Sequence, residues 1–235
     1  MIFALRQPAI LLGLLVGFLV GTTVVASLQR SVAGPKAFSL RRSRALRPLG
    51  GSRRARRPAS TLLDPYGVAC AVVSGVGWGP RPPAPTGLRK PGPGPLVVAL
   101  LVHGALAAGG IAGYLAVGGS KDLLTGVPEL LFFVLHGSAL LSGLSASEQI
   151  LLGFAMVNLG CGLLRLVPIP PLEMGVLLWS RLPKSGGARR LAYHLLEEAW
   201  GVVVLIVLLL VPLAGEQPLL LKVLSDAADP ILHAL

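Results

Sequence analysis

The chain has 235 residues and a formal net charge of +11, and it is 53% hydrophobic but only 13% charged, with a mean hydropathy of +0.75. This composition is typical of a membrane protein with several spans and excludes a soluble globular protein. The length suffices for about four to six spans of roughly 20 residues each, and it leaves no room for a soluble domain.

The first apolar segment, residues 8–28, contains no charged residue. It is longer than the hydrophobic region of a signal peptide, which has about 7–15 residues, so we predict an uncleaved spanning helix. A basic arm follows at residues 30–58, with ten cations and no acidic residue. Because positively charged loops stay on the cytoplasmic side of a membrane, we predict a cytoplasmic arm and an N-terminus that lies outside.

The arginines of the basic arm are predicted to contact anionic lipid headgroups, where each cation contributes about 1 kcal/mol near the surface. Nucleic acid is the alternative partner. We disfavour it because no aromatic residues are interleaved among these arginines and because the arm adjoins a membrane helix. The residues concerned are Arg41, Arg42, Arg44, Arg47, Arg53, Arg54, Arg56 and Arg57.

The middle of the chain contains one clear span and two ambiguous segments. Residues 61–79 are apolar but rich in glycine, and both flanks are basic, so this segment is predicted either to dip into the membrane and return or to be an additional span. Residues 96–118 are predicted to span. Residues 127–145 are apolar but interrupted by glycines, serines and a histidine, and they are either a second re-entrant or interfacial piece or another span.

In the last third of the chain, residues 150–167 are predicted to span up to a Pro-rich kink at residues 168–173. Residues 199–213 are the last predicted span, and the tail, residues 217–235, reads as an interfacial amphipathic helix. We therefore predict an all-α polytopic membrane protein. Residues 1–235 would form a single membrane domain, with about four spanning helices plus two re-entrant or additional membrane segments.

The two cysteines, Cys70 and Cys161, lie inside apolar stretches and have no CxxC spacing. Small buried residues are a better interpretation of this pattern than a disulfide or a pair of metal ligands.

Three short motifs, in this order, resemble those of the site-2 protease family of intramembrane zinc metalloproteases. Residues 62–67 are similar to the family's Asp-Pro-hydrophobic-Gly segment, and residues 77–82 are similar to its Gly-Trp-x-x-Pro-Val-Pro element. Residues 158–173 resemble its asparagine, proline and leucine-aspartate-glycine element. The resemblance extends from about residue 8 to residue 213 and implies a site-2-protease-like fold. The matching positions are Asp64, Pro65, Gly67, Gly77, Trp78, Asn158, Pro168, Pro170, Pro171 and Glu173.

The catalytic residues of the family do not carry over. Its members have His-Glu-x-x-His on the first core helix, where the two histidines ligate zinc and the glutamate polarises the attacking water. The corresponding stretch here, residues 21–27, is Gly-Thr-Thr-Val-Val-Ala-Ser. Glu173 replaces the family's aspartate, Met174 its glycine and Arg165 an asparagine. We therefore expect a divergent member with no catalytic and no metal-binding residue.

A substitute zinc site would need about three protein ligands and an open position. His194 has Glu197 and Glu198 three and four residues after it, but this spacing more often marks a hydrated helix end. The isolated histidines His103 and His136 are expected to be hydrogen-bonded or interfacial. The complete set of candidate ligands is His103, Glu129, His136, Glu173, His194, Glu197 and Glu198.

Glu173 lies just beyond the kink, where an ionisable group at membrane depth is costly and marks a candidate functional site. It could form an ion pair with Arg165, eight residues earlier, or bind the backbone of a partner. Alternatively, the Pro turn leaves Glu173 near water, either paired or merely solvated, and this last arrangement is the one that we expect.

The retained motifs and the missing zinc ligands predict a catalytically inactive, site-2-protease-like membrane protein that binds or regulates other membrane proteins. The alternatives are an active intramembrane zinc metalloprotease with displaced ligands and a small transporter subunit with broken helices. No cofactor is expected, except zinc for the active protease. The expected partners are anionic lipid and another transmembrane protein. An abundance of Arg, Ala, Gly, Leu and Pro is typical of a high-GC bacterial genome, so the predicted location is the bacterial plasma membrane.

Overall fold

The computed structural model describes residues 5–44, 63–79, 92–181, 200–212 and 217–234, together with the single residues 187, 191, 194 and 195. This part of the chain is built from helices and contains no β-strand, which confirms the all-α class. One short 3₁₀ turn, Ala139–Leu141, also occurs. The helices, in chain order, are α1 (Pro8–Arg44), α2 (Pro65–Ser74), α3 (Gly94–Ala116), α4 (Lys121–Gly126), α5 (Leu130–His136), α6 (Ala146–Leu164), α7 (Glu173–Arg181), α8 (Trp200–Leu210) and α9 (Leu219–His233).

Three helices form the centre of the structure and are long and apolar enough to cross a membrane. They are Pro8–Ser31 of α1, α3 and α6, and they match three of the predicted spans. Helices α1 and α6 run parallel, because Gly13 lies against Ile150 and Gly21 lies against Asn158. Helix α3 packs antiparallel against both. The C-terminal ends of α1's span and of α6 therefore lie at the same end of the bundle as the start of α3.

The chain from residue 63 to residue 79 runs out and back. The Asp64 carboxylate accepts hydrogen bonds from N–H groups in the first turn of α2, and Pro65 occupies the first helical position. At the other end Gly75 has φ of 86°, a conformation that favours glycine, and the chain returns as a buried segment without regular secondary structure. Helix α2 has 10 residues and is about 15 Å long, half of a hydrocarbon core of about 30 Å. This shape supports the re-entrant alternative for residues 61–79, whose position in a membrane stays a prediction.

The ambiguous segment at residues 127–145 is broken into short pieces. Helix α5 has seven residues, about 10 Å, and the 3₁₀ turn follows it. Before α5, Glu129 adopts φ of 56°, which is uncommon for a residue with a side chain. These pieces are too short to cross a membrane one by one, and the placement of this segment stays open.

Helix α6 ends at Leu164 and α7 begins at Glu173, so the break between them contains the prolines of the predicted kink at residues 168–173. It contains a cis peptide bond between Pro170 and Pro171. The carbonyl of Pro168 accepts a hydrogen bond of 3.0 Å from the indole N–H of Trp179 on α7. On the other side, Gly201 of α8 lies so close to the Pro170 carbonyl that a Cβ would collide with it. The break is therefore packed between two helices.

The last two helices leave two predictions open. Helix α8 has 11 residues, about 16 Å, so the span at residues 199–213 stays a prediction. Helix α9 is amphipathic, and it buries Leu220, Leu224 and Leu232 against α4, α5, α6 and α8. The face that carries these leucines is thus covered by protein, while the interfacial position of residues 217–235 stays a prediction.

The basic arm begins within α1, which continues as a helix to Arg44. Of Arg41, Arg42 and Arg44 only the helical backbone is described. The lipid contacts of the arm stay a prediction, and the remaining arginines lie outside the described residues: Arg47, Arg53, Arg54, Arg56 and Arg57.

Candidate functional site inside the helix bundle

A hydrogen bond joins α3 to α6 near the middle of both helices. Nδ1 of His103 lies 3.0 Å from Oδ1 of Asn158, and both side chains are buried. The amide nitrogen of Asn158 donates to the carbonyls of Phe154, at 2.9 Å, and of Gly17, at 3.3 Å. Because carbonyls only accept, these two bonds orient the amide with Oδ1 towards His103. The imidazole therefore carries its proton on Nδ1, and in its neutral form Nε2 is left as an acceptor.

A buried ion pair lies at the end of α6. Nη1 of Arg165 donates to Oε1 of Glu173 at 2.6 Å, and each side chain is 2% exposed. Gln29 of α1 donates to the same carboxylate oxygen at 3.1 Å and to the carbonyl of Pro95 at 2.8 Å. The expectation that Glu173 lies near water is wrong, because the break folds α7 back against α3 and encloses the carboxylate.

The His103–Asn158 bond and the ion pair are neighbours. An added Cβ on Gly21 of α1 would meet both His103 and Asn158. The next residue, Thr22, packs beside Gly79, and a Cβ on Gly79 would lie 3.6 Å from Nη2 of Arg165. The two polar groups are thus joined through consecutive residues of α1. We call the set of Gln29, His103, Asn158, Arg165 and Glu173 the polar cluster.

Four buried atoms of the polar cluster have no hydrogen-bond partner in the described polypeptide: Nε and Nη2 of Arg165, Oε2 of Glu173 and Nε2 of His103. The arginine nitrogens are donors, whereas the carboxylate oxygen and the neutral imidazole nitrogen are acceptors. Leaving a buried polar group unpaired costs about 1–3 kcal/mol, and more for a charged one. The polar cluster can therefore bind a neutral ligand that both donates and accepts hydrogen bonds.

The first two motifs of the resemblance meet at a second place. Gly67 of α2 lies so close to Trp78 that a Cβ would collide with its carbonyl oxygen, and Gly77 approaches the carbonyl of Gly67 in the same way. With Asp64 and Pro65 at the start of α2, these residues form the out-and-back segment. These residues allow close backbone packing, and the segment places Gly79 beside Arg165.

Of the residues in the polar cluster, the sequence linked only Arg165 to Glu173, as a possible ion pair, and the structure brings all five together. Asn158 and Arg165 are seven residues apart on one helix, so two turns place them on one face, and this spacing could have linked them. Nothing in the sequence marked Gln29, which lies 144 positions from Glu173 and reaches it through the packing of α1. His103 is hydrogen-bonded, as expected.

The other isolated residues also follow expectation. Nδ1 of His136 lies 3.1 Å from the carbonyl of Phe132, and the two rings stack with 4.2 Å between their centroids. Both cysteines, Cys70 and Cys161, are buried and free. These residues therefore support the structural interpretation rather than a reactive site.

Zinc, which the resemblance implies for the family, does not fit the polar cluster. The cluster offers one imidazole and one carboxylate, and Oε1 of that carboxylate, Glu173, already pairs with Arg165. Within the described part of the chain, no group of three His, Cys, Asp or Glu side chains is arranged to hold a metal ion. Glu197 and Glu198 lie outside the described residues, and His194 is described without them.

A second polar group, near the surface, attaches α9. The Glu129 carboxylate accepts from Gln217 at 2.7 Å and from Lys222 at 3.1 Å, while its backbone N–H donates to the Asp229 carboxylate at 3.2 Å. The hydrogen bonds from Gln217 and Lys222 lower the pKa of Glu129 below its ordinary 4.5. The hydrogen bond to Glu129 raises the pKa of Lys222 above its ordinary 10.5, and the negative charge of Asp226 raises it further. This group therefore holds the uncommon backbone conformation of Glu129 in place.

In comparisons with protein-family models, with curated proteins and with solved structures, none matched this chain.

Proposed function

We propose that this chain is a catalytically inactive membrane protein of site-2-protease-like architecture that binds a transmembrane helix of another membrane protein. The proposal includes a location in the bacterial plasma membrane, with the basic arm at residues 30–58 on the cytoplasmic side. The observation that carries the binding role is the outward face of α3.

This face is apolar, exposed and made of small residues. An added Cβ on Gly104 or Gly109 would meet no atom of the described residues within 4 Å. Small residues four positions apart allow the backbones of two membrane helices to approach closely, which is where van der Waals packing in lipid is strongest. The α3 face consists of Gly104, Ala105, Ala108, Gly109 and Ala112.

The length of α3 supports a membrane helix as the partner. Its 23 residues extend about 35 Å, so the α3 face would lie within the hydrocarbon layer, out of reach of a soluble protein. Helix α3 is also the least covered of the three long helices. Of the residues in its apolar stretch, only 33% are buried, compared with 50% for α1 and 61% for α6.

The inactive character is supported by the ion pair between Arg165 and Glu173. The resemblance places Glu173 at the position of a zinc-ligating aspartate, but one of its oxygens binds a guanidinium. A metal ion at that oxygen would compete with a fixed positive charge. The residues in place of the family's zinc histidines, within 21–27, offer no imidazole.

The experiment that tests the proposal is site-specific photo-crosslinking in native membranes. A photoreactive residue replaces Leu101, which is 68% exposed beside the α3 face, and the matched control replaces Leu12, which is 50% exposed on α1. We expect one membrane protein to crosslink at the first position only. The variant Ala108→Leu fills the face and should lower that crosslink about tenfold, because the helices can no longer approach closely.

Three outcomes would overturn the proposal. Equal crosslinking from both positions would show that the α3 face has no specific partner. A crosslink to a second copy of this chain alone would replace the proposed partner by self-association. Zinc-dependent cleavage of the crosslinked protein, after both are reconstituted, would contradict the inactive character.

A further inference from the structure

We propose that water enters the helix bundle along the polar cluster, from Gln29 to His103, and hydrogen-bonds to the buried atoms of Arg165, Glu173 and His103. This is a binding site for water near the middle of the three long helices. It is independent of the α3 face, because it involves the interior of the bundle and none of the residues of that face.

The entrance of this path lies at one end of the bundle. Gln29 is partly exposed near the end of α1's apolar stretch, and its side chain bonds to Pro95 in the first turn of α3 and to Glu173 at the start of α7. Arg165 directly follows the last residue of α6. Three helix ends therefore present polar atoms at one end, where water would enter beside the partly exposed Gln29 and then reach the enclosed carboxylate.

The path ends near the centre of the bundle. His103 and Asn158 lie close to the middle of α3 and α6. Beyond Gly17, whose carbonyl accepts from Asn158, the buried face of α1 continues with apolar side chains such as Leu14 and Ile10. Among the described residues, the path thus has one polar entrance and an apolar end. Water on this path therefore does not cross the bundle.

The unpaired atoms select the ligand. Arg165 offers two donor nitrogens, whereas Glu173 and His103 offer two acceptors. The ion pair is neutral, so a bound ion would leave an uncompensated charge in the interior. Water both donates and accepts, and a buried water molecule needs two to four polar partners, which these residues supply.

The space beside Gly79 also suits a small ligand. An added Cβ on Gly79 would stand 3.6 Å from Nη2 of Arg165 and 3.8 Å from Cβ of Thr22, which are ordinary contacts. A Cβ on Gly21, in contrast, would collide with Asn158 and His103. Water bound at His103 would let this imidazole, in the middle of the bundle, exchange protons with the solvent at the Gln29 end.

The test uses cysteine accessibility in membranes. Gly79→Cys puts a thiol beside Arg165, and Leu14→Cys puts one in the apolar part of the same bundle, each in a background of Cys70→Ala and Cys161→Ala. Silver ions react with thiols that water reaches, releasing the proton, and the remaining thiols are counted with a maleimide after unfolding. We expect Gly79→Cys to react about tenfold faster or more, because a thiol in a dry interior does not ionise. Equal rates would overturn the proposal.

A second measurement uses the unsubstituted protein and does not depend on the folding of a variant. Of its four histidines, His103 is identified by the signal lost in His103→Asn. In solid-state NMR of the labelled protein in lipid, we expect polarisation from water protons to reach the His103 ring. Absence of this transfer, while it is seen at the partly exposed His136, would also overturn the proposal. The crosslink at the α3 face is not altered by either result.

Discussion

Nη1 of Arg165 and Oε1 of Glu173 lie 2.6 Å apart, across the break between α6 and α7 that the prolines create. Eight residues separate the two side chains in sequence, and both are almost completely buried. The proline turn reverses the chain, so that the first residue of α7 faces the residue after α6. Because Nε and Nη2 of Arg165 and Oε2 of Glu173 have no hydrogen-bond partner among the described residues, this ion pair is both a structural contact and the centre of the polar cluster.

Removing one partner of this ion pair should destabilise the protein strongly. In Glu173→Gln the guanidinium of Arg165 stays buried without its counter-charge, and we expect a loss of about 3–5 kcal/mol in the free energy of unfolding. Equilibrium unfolding in mixed micelles measures it. The control is the double variant Arg165→Met/Glu173→Leu, which should recover most of the loss because no charge is left buried. A loss below about 1 kcal/mol for the single variant would show that the pair is hydrated in the manner of a surface pair.

The tautomer of His103 is a prediction that requires no variant. The orientation of the Asn158 amide requires the proton on Nδ1, so the nitrogen NMR spectrum should show Nδ1 protonated and Nε2 not. In Asn158→Ala this preference should weaken, and stability should fall by about 1–3 kcal/mol, because Nδ1–H loses its acceptor in a buried place. A spectrum with the proton on Nε2 would contradict the assigned network.

The close approach inside the out-and-back segment predicts a difference between two glycines. Gly67→Ala places a methyl group against the carbonyl of Trp78, and overpacking of this kind costs about 1–3 kcal/mol. Gly104→Ala, on the open face of α3, is the matched control. It should leave the free energy of unfolding unchanged or raise it by up to about 1 kcal/mol, since alanine favours a helix. Equal effects of both substitutions would contradict the packing of α2 against Trp78.

The attachment of α9 should depend on pH in a direction set by Glu129. Its pKa is lowered in the folded state, so its contribution is complete above its ordinary value of 4.5 and is lost as the pH falls through the lower folded value. Lys222 acts at alkaline pH. Its pKa is raised above 10.5, so its contribution to the attachment is lost as the pH rises through that raised value. Distances between spin labels at Val223 and Leu140, both exposed, report the docking of α9.

The control for this pH dependence is Glu129→Gln. It should reduce the release of α9 at acidic pH, because the carboxylate with the lowered pKa is then absent. An unchanged acid profile in this variant would show that Glu129 does not govern the attachment.

Much of the local structure could be predicted from single segments. The three long helices follow from runs of apolar residues of the length that a bilayer requires. Asp64-Pro65 starts α2, as an acceptor side chain followed by proline does at helix starts. The prolines after residue 167 end α6 because proline cannot continue its hydrogen-bond pattern.

The sequence by itself therefore determined the three long helices, their apolar character and the place of the break. Tertiary structure alone decided that Gln29 reaches Glu173 and that His103 meets Asn158, contacts between residues 144 and 55 positions apart. It also decided that Glu173 is buried with Arg165 rather than near water. The physical reason is that hydropathy reports how much apolar surface a helix has. The partners of its few polar side chains depend on the rotation and register of each helix against its neighbours, which close glycine contacts set.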